Sequence, residues 1–207
     1  YLKRIEAQLM MMKGPFERHL PLSAFSQVYP RILMLFDLAA IGELQPGRAA
    51  SAIKIVPWSE SRHEEAALLI AASYQGHIDS SINDQYRSYS GAKRFISNIV
   101  QYPGCGSFFE GGSLLAEDKT GHLCGLVLSS MVASDVGHIT QICVAPELTG
   151  KGIGYEIMRA ALLRLAANRC ERASLTVTAS NAVAIQLYQN MGFRATRRFA
   201  AYVWDGF

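Results

Sequence analysis

The sequence predicts a mixed α/β protein in which helices are layered on one sheet. Two observations support this class. Half of the 207 residues are apolar and 18% are charged, a composition that supplies a buried core and argues against disorder. From residue 53 onward, strand-like and helix-like segments follow in the order one strand, two helices, three strands, helix, strand, helix, strand. That order is typical of layered α/β architectures.

The first 52 residues differ from the rest and are interpreted as an N-terminal extension with a linker. Residues 2–12 fit a helical face and a strand alternation nearly equally well. Three prolines interrupt the next stretch, and the apolar run at 32–36 is typical of a buried strand. Residues 42–52, rich in Gly and small side chains, predict a linker. The extension could be the tail of a larger upstream region.

Residues 53–207 are predicted to form one domain. Helices are expected where apolar side chains recur three and four positions apart, and strands where short apolar or β-branched runs stand between turn residues. The predicted elements are a strand at 53–58, a helix at 64–74, a polar loop at 77–86, a helix at 92–102, strands at 113–117, 123–132 and 137–145, a helix at 152–167, a strand at 173–178, a helix at 181–191, and a strand or hairpin at 193–204.

The most informative segment is residues 144–154, where a strand ends and three glycines open a helix. Gly150, Gly152 and Gly154 allow backbone N–H groups to face one concavity with no Cβ in the way. The start of the helix adds unpaired donors and the positive end of the helix dipole. The combination predicts an anion site suited to a diphosphate, with Lys151 as a nearby charge. A turn that needs glycine for its geometry alone is the alternative.

A second motif runs from Asn181 to Phe193. A strand ends before it, Ser180 or Asn181 caps a helix, and Gly192 ends that helix. Tyr188 would project from the helix toward the ends of the preceding strands. A core tyrosine that only packs is the alternative for this residue.

Together the two motifs resemble the GNAT superfamily of acetyl-CoA-dependent N-acyltransferases. The resemblance covers residues 53–204 and is specific over 142–193. The family's Q/R-x-x-G-x-G/A loop corresponds to residues 149–154, and its N-x-x-A-x-x-L-Y-x-x-x-G-F pattern is matched in full over 181–193. The motifs are nearest to ribosomal-protein alanine N-acetyltransferases and mycothiol-synthase-like members. The resemblance implies the GNAT fold, a central, mostly antiparallel sheet with a splayed strand pair, flanked by helices.

The resemblance also implies where acetyl-CoA binds. In the family, the strand before the glycine loop leaves its neighbour, and its backbone pairs with the pantetheine arm of the cofactor. The implied cofactor-binding residues are Ile142, Cys143, Val144, Leu148, Thr149, Gly150, Lys151, Gly152, Ile153, Gly154, Asn181 and Tyr188.

The implied reaction is direct attack of a primary amine, on a small molecule or a peptide, on the acetyl carbonyl. The Val144 N–H would stabilise the oxyanion, and Tyr188 would give a proton to the departing thiolate. The fold's contribution is to hold the two reactants in line.

Two positions depart from the family pattern. Thr149 stands where Arg or Gln is usual, so one phosphate contact is weakened, or replaced by Lys151. Thr176 stands where the alanine N-acetyltransferases carry a glutamate, and a threonine cannot act as a base. His138, at the start of the splayed strand, is a candidate catalytic base because its ordinary pKa is near neutrality. An exposed strand-end histidine and deprotonation through water are the alternatives.

The polar residues 76–86 lie between the first two helices, in a region that lines the acceptor pocket in the family. The resemblance implies acceptor binding by His77, Asp79, Asp84 and Tyr86, which could recognise a cationic amine. An ordinary polar connection between helices is the alternative.

Two other functions are open at this level. A non-catalytic acyl-CoA-binding or regulatory module would keep the fold and the cofactor, and the changes at Thr149 and Thr176 favour it. A nucleotide-binding oxidoreductase needs an early βαβ unit and a ribose-binding acid, and this sequence has neither at the usual place.

Composition limits the partners and the location. The net charge of +3, spread over scattered Lys and Arg, argues against a dedicated nucleic-acid binder. Neither a membrane span nor a metal site is predicted. The cysteines, Cys105, Cys124, Cys143 and Cys170, are expected to be reduced thiols in a cytoplasmic protein. A homodimer is compatible with these features.

Overall fold

A computed structural model describes residues 4–8, 25–104 and 106–205 of the chain. Nine strands form one sheet. They are β1 (Arg4–Gln8), β2 (Ser26–Asp37), β3 (Lys54–Pro57), β4 (Ser107–Phe108), β5 (Leu114–Glu117), β6 (Leu123–Ala133), β7 (Val136–Val144), β8 (Arg172–Thr178) and β9 (Arg194–Asp205).

Five α-helices connect the strands, together with several 3₁₀ turns. They are α1 (His63–Ser73), α2 (Asp79–Ile82), α3 (Tyr89–Gln101), α4 (Ile153–Ala167) and α5 (Ala182–Asn190). None of the helices in the described ranges combines the length and the apolar character that crossing a membrane requires.

The sheet order is β1-β9-β2-β8-β7-β6-β5-β3, with β4 paired to β6 at one side. Among the described strands, β7 and β8 form the one parallel pair, and every other pairing is antiparallel. The parallel pair is joined through α4, since parallel neighbours need a long crossover. The predicted mixed α/β class with a mostly antiparallel sheet is confirmed.

Two apolar cores form, one on each face of the sheet. On one face α1 and α3 cover the sheet, where Ile70 and Ile96 pack with Leu126. On the other face α4 and α5 cover it, where Ile157 and Leu162 are fully buried. The predicted apolar spacing marks the buried faces of α3 and α4. In α1 the face expected from Ala67, Leu68, Ala71 and Ala72 is wrong, because Leu68 is 58% exposed while Leu69 and Ile70 are buried.

The N-terminal residues contribute to the same sheet. The predicted strand at 32–36 is confirmed and is longer than expected, because β2 begins at Ser26 and runs through Pro30. It lies between β8 and β9. Of the ambiguous segment 2–12, residues 4–8 form a strand at the sheet edge, and the remainder lies outside the described residues. The boundary between an extension at 1–52 and a domain at 53–207 stays a prediction.

Two elements differ from the sequence-based expectation. The predicted loop at 77–86 is wrong in part, because it contains α2 and a 3₁₀ turn at Asp84–Arg87. Asn83 starts that turn by accepting a hydrogen bond from the Gln85 N–H, and turns this short carry no apolar periodicity. The last segment is one strand, β9, and not a hairpin.

Met34 tests whether β2 belongs to the cooperative core. Its side chain is 1% exposed in the middle of the strand. Because Met34→Ala leaves a cavity, we expect the free energy of unfolding in urea to fall by about 2–5 kcal/mol. Val28→Ala, in the same strand with a side chain that is 47% exposed, is the matched control and should change it by about 0.5 kcal/mol or less. Equal small losses in both variants would place β2 outside the core.

Candidate active site

The site begins where β7 and β8 separate. The two strands pair from Val136 with Arg172 as far as Ile139 with Leu175. Beyond these residues β8 continues against β2 alone, and β7 continues against β6 alone. The predicted splayed strand pair is therefore present, and the fork opens from Thr140 and Thr176 onward.

A β-bulge accompanies the separation. In the pairing of β6 with β7, Leu128 lies opposite Gln141 while the next residue, Ser129, lies opposite Ile139. Thr140 is thus an extra residue on β7, and a bulge of this kind bends a strand and increases its twist. The bend occurs at the first residue after the last pair with β8. The bulge therefore coincides with the point where β7 separates from β8.

The free edge of β7 presents backbone groups to the fork. The Ala145 N–H donates to the Cys124 carbonyl on the β6 side. Because N–H groups alternate between the two edges of a strand, Val144 and Ile142 face the opposite edge. Their carbonyls accept hydrogen bonds from the hydroxyls of Ser73 and Tyr74 at the end of α1, at 3.0 and 3.5 Å. Their N–H groups point into the fork.

The glycine loop carries unpaired amides at the start of α4. Gly150 and Gly152 have φ of 73° and 92°, a left-handed conformation that favours glycine. Within the described residues, the N–H groups of Gly150, Gly152, Ile153 and Gly154 have no protein acceptor. Ile153 is buried and Gly152 and Gly154 are half-buried, so their amides need a partner, which an anion can supply here.

Helix α5 forms the opposite wall and carries Tyr188. Asn181 caps this helix, because its Oδ1 accepts a hydrogen bond from the Ala184 N–H at 3.1 Å. The Tyr188 ring packs on Phe193, with centroids 5.8 Å apart. The Tyr188 hydroxyl has no hydrogen-bond partner among the described residues. Burial, with the nearby negative charge of Asp79, raises the pKa of Tyr188 above its ordinary value.

Two connected spaces lie in the fork. The inner cavity, about 240 Å³, lies among β7, β8, α5 and the end of α1. The outer groove, about 410 Å³, runs along the glycine loop and α5. They share lining residues on both walls of the fork, so a long ligand can occupy both. The shared residues are Ile142, Cys143, Val144, Thr149, Asn181, Ala184 and Tyr188.

A hydrogen-bonded aromatic group lines one side of the inner cavity. The Tyr74 and Tyr86 rings stack with centroids 4.2 Å apart. Gln141 links their hydroxyls: its Nε2 donates to the Tyr74 oxygen at 2.9 Å, and its Oε1 accepts from the Tyr86 hydroxyl at 3.0 Å. Burial raises the pKa of Tyr74 well above its ordinary value, so this hydroxyl stays neutral to higher pH than a free tyrosine.

A partly buried ion pair lines the other side. Arg31, on β2, donates to Asp79 Oδ1 at 3.0 Å and to Thr178 Oγ1 at 2.7 Å. It also donates to Thr176 Oγ1 at 3.2 Å. Thr178 donates its own hydroxyl hydrogen to Asp79. Arg31 is thus bonded to one carboxylate and two threonine hydroxyls on this side of the cavity.

His77 lies between this pair and α5. Its Nδ1 accepts a hydrogen bond from the Asp79 N–H at 3.1 Å, and its Nε2 lies 3.2 Å from the Asn181 side-chain nitrogen. The ring also contacts Tyr74 edge-on at 5.0 Å. Both ring nitrogens thus have protein neighbours within the cavity wall.

Most of the predicted site residues come together in the fork. Of the predicted cofactor-binding residues, all except Lys151 line the groove or the cavity, and so do three of the four predicted acceptor-binding residues. Lys151, Asp84 and His138 are not among the described lining residues. Asp84 lies at the surface, where its backbone N–H donates to Glu6 Oε1 at 3.2 Å.

His138 lies below the fork, in the paired part of β7. Its Nδ1 is 2.8 Å from the Ser174 hydroxyl on β8, and the side chain is buried. Burial lowers the pKa of His138 from 6.5 to about 4. It is therefore not the exposed strand-end residue that the sequence allowed. Its role as a base stays a prediction, which its position outside the cavity does not support.

Several lining residues were missed by the sequence reasoning. Arg31 and Arg48 lie in the segment read as an extension and linker, and only the folded sheet brings them to the fork. Gln141 and Tyr74 stand in predicted elements, but nothing local distinguishes them from packing residues. The Cys143 thiol, a predicted cofactor contact, has its pKa raised to about 12 by burial, so it is a neutral wall group.

Comparisons with known proteins agree with this geometry. A model of the acetyltransferase (GNAT) family matches residues 80–193. The mycothiol acetyltransferase of Renibacterium salmoninarum is 32% identical to this chain over 91 residues. That match covers 42% of this chain and 27% of the relative, so it spans about a quarter of the relative's length.

Solved structures share the fold at low identity. The GCN5-related N-acetyltransferase of Sphaerobacter thermophilus has a TM-score of 0.66 at 19% identity, covering 98% of this chain and 59% of that one. The PaiA N-acetyltransferase of Thermoplasma acidophilum, solved in complex with coenzyme A, has a TM-score of 0.55 at 18% identity. It covers 75% of this chain and 99% of that one.

The lowered pKa of His138 makes stability depend on pH. Between pH 6.5 and about 4 the unfolded chain binds a proton at this residue that the folded chain does not. Stability should therefore fall as the pH drops through this window, by about 3 kcal/mol at most from this residue. In His138→Gln that part of the dependence should vanish, as seen in urea unfolding at pH 7, 6 and 5. The exposed His122→Gln is the control and should keep the wild-type slope.

If His138→Gln and wild type lose stability in parallel between pH 7 and 5, then His138 is not held neutral by the fold.

Proposed function

This chain belongs to the acetyltransferase (GNAT) family, and from that premise we propose that it transfers an acetyl group from acetyl-CoA to a primary amine of a small molecule or peptide. The observation that carries the proposal is the fork itself. Unpaired amides of the glycine loop and the free edge of β7 open into the groove that Tyr188 also lines. An acyl-CoA has a diphosphate for the loop amides, pantetheine amides for the free edge of β7, and a thioester sulfur for Tyr188.

The residues in the fork fit coenzyme A by their donor chemistry. We propose that the amides of Gly150, Gly152 and Gly154 hold the diphosphate, as a helix N-terminus does for anions. The exposed backbone of Ile142 and Val144 would pair with the amides of the pantetheine arm. When bound, acetyl-CoA supplies the thioester that the amine attacks.

Two protein groups would assist the transfer. The Val144 N–H points into the fork and would donate to the thioester oxygen as it gains negative charge. Tyr188 would protonate the leaving sulfur. The hydroxyl is protonated at neutral pH, and because burial raises its pKa it would release the proton only as negative charge develops on the sulfur.

We propose that the attacking amine loses its proton to water in the cavity. Asp79, the one carboxylate among the described lining residues, is held by Arg31 and Thr178. His77 has protein neighbours at both nitrogens, and His138 lies outside the cavity. Because these side chains are bonded to protein groups or lie outside the cavity, water is left to accept the proton of the amine.

The inner cavity would receive the acceptor. His77, Asp79 and Tyr86 line it as predicted, and Gln141 adds a polar group between them. Its volume of about 240 Å³ suits a small amine or the end of a peptide. Asp84 lies at the surface and would not contact the acceptor there.

We further propose that residues 53–207 form the transferase domain and that β2 completes its sheet. The described cysteines, Cys124, Cys143 and Cys170, are buried free thiols, as expected for a cytoplasmic location.

The Tyr188→Phe variant tests the proposal. We expect calorimetry to show that wild type and variant bind acetyl-CoA with dissociation constants within about threefold of one another. Turnover over a panel of primary amines, followed by release of free thiol, should fall about 10²-fold in the variant, because a general acid contributes about 10²–10⁴-fold. Tyr102→Phe, at a tyrosine that is 63% exposed and lines neither the cavity nor the groove, is the matched control.

The outcomes separate the candidate functions. Absence of acetyl-CoA binding by the wild type rules out the transferase proposal. Binding without turnover of any amine indicates the non-catalytic acyl-CoA module, which the threonine at position 176 favours. Equal turnover in Tyr188→Phe and wild type removes Tyr188 from the role of acid.

A further inference from the structure

The segment 45–48, between β2 and β3, is hydrogen-bonded to the first turn of α4. The Gln45 carbonyl accepts a hydrogen bond from the Tyr155 hydroxyl at 2.8 Å. The Gly47 N–H donates to the buried carboxylate of Glu156. Gly47 lies so close to α4 that a Cβ there would be 2.9 Å from Glu156 Oε1. This segment is therefore held in one place over the helix start.

Arg48, the last residue of this segment, lies over the glycine loop. Its Nη2 donates to the Gly150 carbonyl. A Cβ built on Gly152 would be 3.0 Å from Arg48 Cγ and 3.2 Å from Arg48 Nε, so the side chain crosses directly above Gly152. The unpaired amides of the loop are next to it, and the Arg48 side chain is exposed to solvent.

Arg48 is the one charged side chain among the described residues that line the outer groove. The sequence-based candidate for this charge, Lys151, is not a lining residue. Thr149, which replaces the usual Arg or Gln, turns its hydroxyl to the Pro146 carbonyl at 2.8 Å. The loop itself therefore supplies amides to the groove but no charge.

We infer that Arg48 binds the diphosphate of the acyl-CoA donor and supplies from the 45–48 segment the cation that the glycine loop lacks. This inference rests on the proposed function, since it takes the outer groove as the coenzyme A site. A guanidinium has five donors, and Gly150 occupies only one of them. The other guanidinium N–H groups can donate to phosphate oxygens while the bond to the Gly150 carbonyl is kept. A lysine ammonium lacks this planar arrangement of donors.

The alternative role for Arg48 is a purely structural clamp on Gly150. The two roles differ in which donors they affect. A phosphate contact strengthens binding only of donors that carry the diphosphate. A clamp on the loop supports the protein regardless of the donor, and its loss lowers thermal stability.

The experiment compares Arg48→Ala and Arg48→Lys with wild type in binding of coenzyme A by calorimetry. It also compares KM for acetyl-CoA with KM for S-acetylpantetheine, which lacks the diphosphate and the nucleotide. We expect Arg48→Ala to weaken coenzyme A binding and to raise KM for acetyl-CoA about tenfold, with Arg48→Lys intermediate. KM for S-acetylpantetheine should stay within about twofold, and the tenfold difference should shrink as salt is raised.

Two comparisons complete the design. Arg164→Ala removes an equal charge from the far end of α4 and should leave both KM values unchanged. The 3′-dephospho form of acetyl-CoA should show the same loss in Arg48→Ala, because the contact is with the diphosphate.

The inference is overturned if KM rises equally for both donors, if the effect follows the 3′-phosphate, or if Lys151→Ala and not Arg48→Ala weakens coenzyme A binding. If the chain binds coenzyme A in a way that depends on Arg48 but acetylates no amine, this inference holds and the transferase proposal fails. A wild-type chain that does not bind coenzyme A would overturn both.

Discussion

The site depends on one constraint: after Ile139 and Leu175, β7 and β8 no longer share hydrogen bonds. A strand in the middle of a sheet normally has both edges satisfied, and exposing one edge leaves backbone donors that need partners. The bulge at Thr140 bends β7 at this point, and β6 and β2 keep the two diverging strands in regular pairing. The sheet thus holds a gap open without losing its continuity.

Groups from distant parts of the chain meet around this gap. The glycine loop and α5 follow the two strands of the fork and supply amides and a phenol at its mouth. Arg31 and the 45–48 segment reach it from the N-terminal part, because β2 is a central strand. The end of α1 satisfies the β7 carbonyls and leaves the N–H groups for a ligand. The loop thus supplies backbone donors, α5 supplies the phenol, and the N-terminal part supplies the charged side chains.

Local patterns predicted much of this arrangement. Apolar spacing predicted the four longer helices, and the family resemblance carried by the two motifs implied the fork and most of the residues that line it. Pairing between distant strands leaves no local trace, so Arg31 and Arg48 were assigned to an extension and a linker. Short turns such as α2 lack periodicity, and the burial of His138 depends on its neighbour Ser174, which no spacing rule connects to it.

Amide hydrogen exchange with and without coenzyme A would show whether the open edge of β7 binds the cofactor, because it reports on the fork's backbone N–H groups one by one. Saturating coenzyme A should slow exchange at Ile142 and Val144 and at the amides of residues 150–154, while β5 keeps its rates. Unchanged exchange at those amides, with coenzyme A bound, would show that the open strand edge does not hold the ligand and would contradict the account.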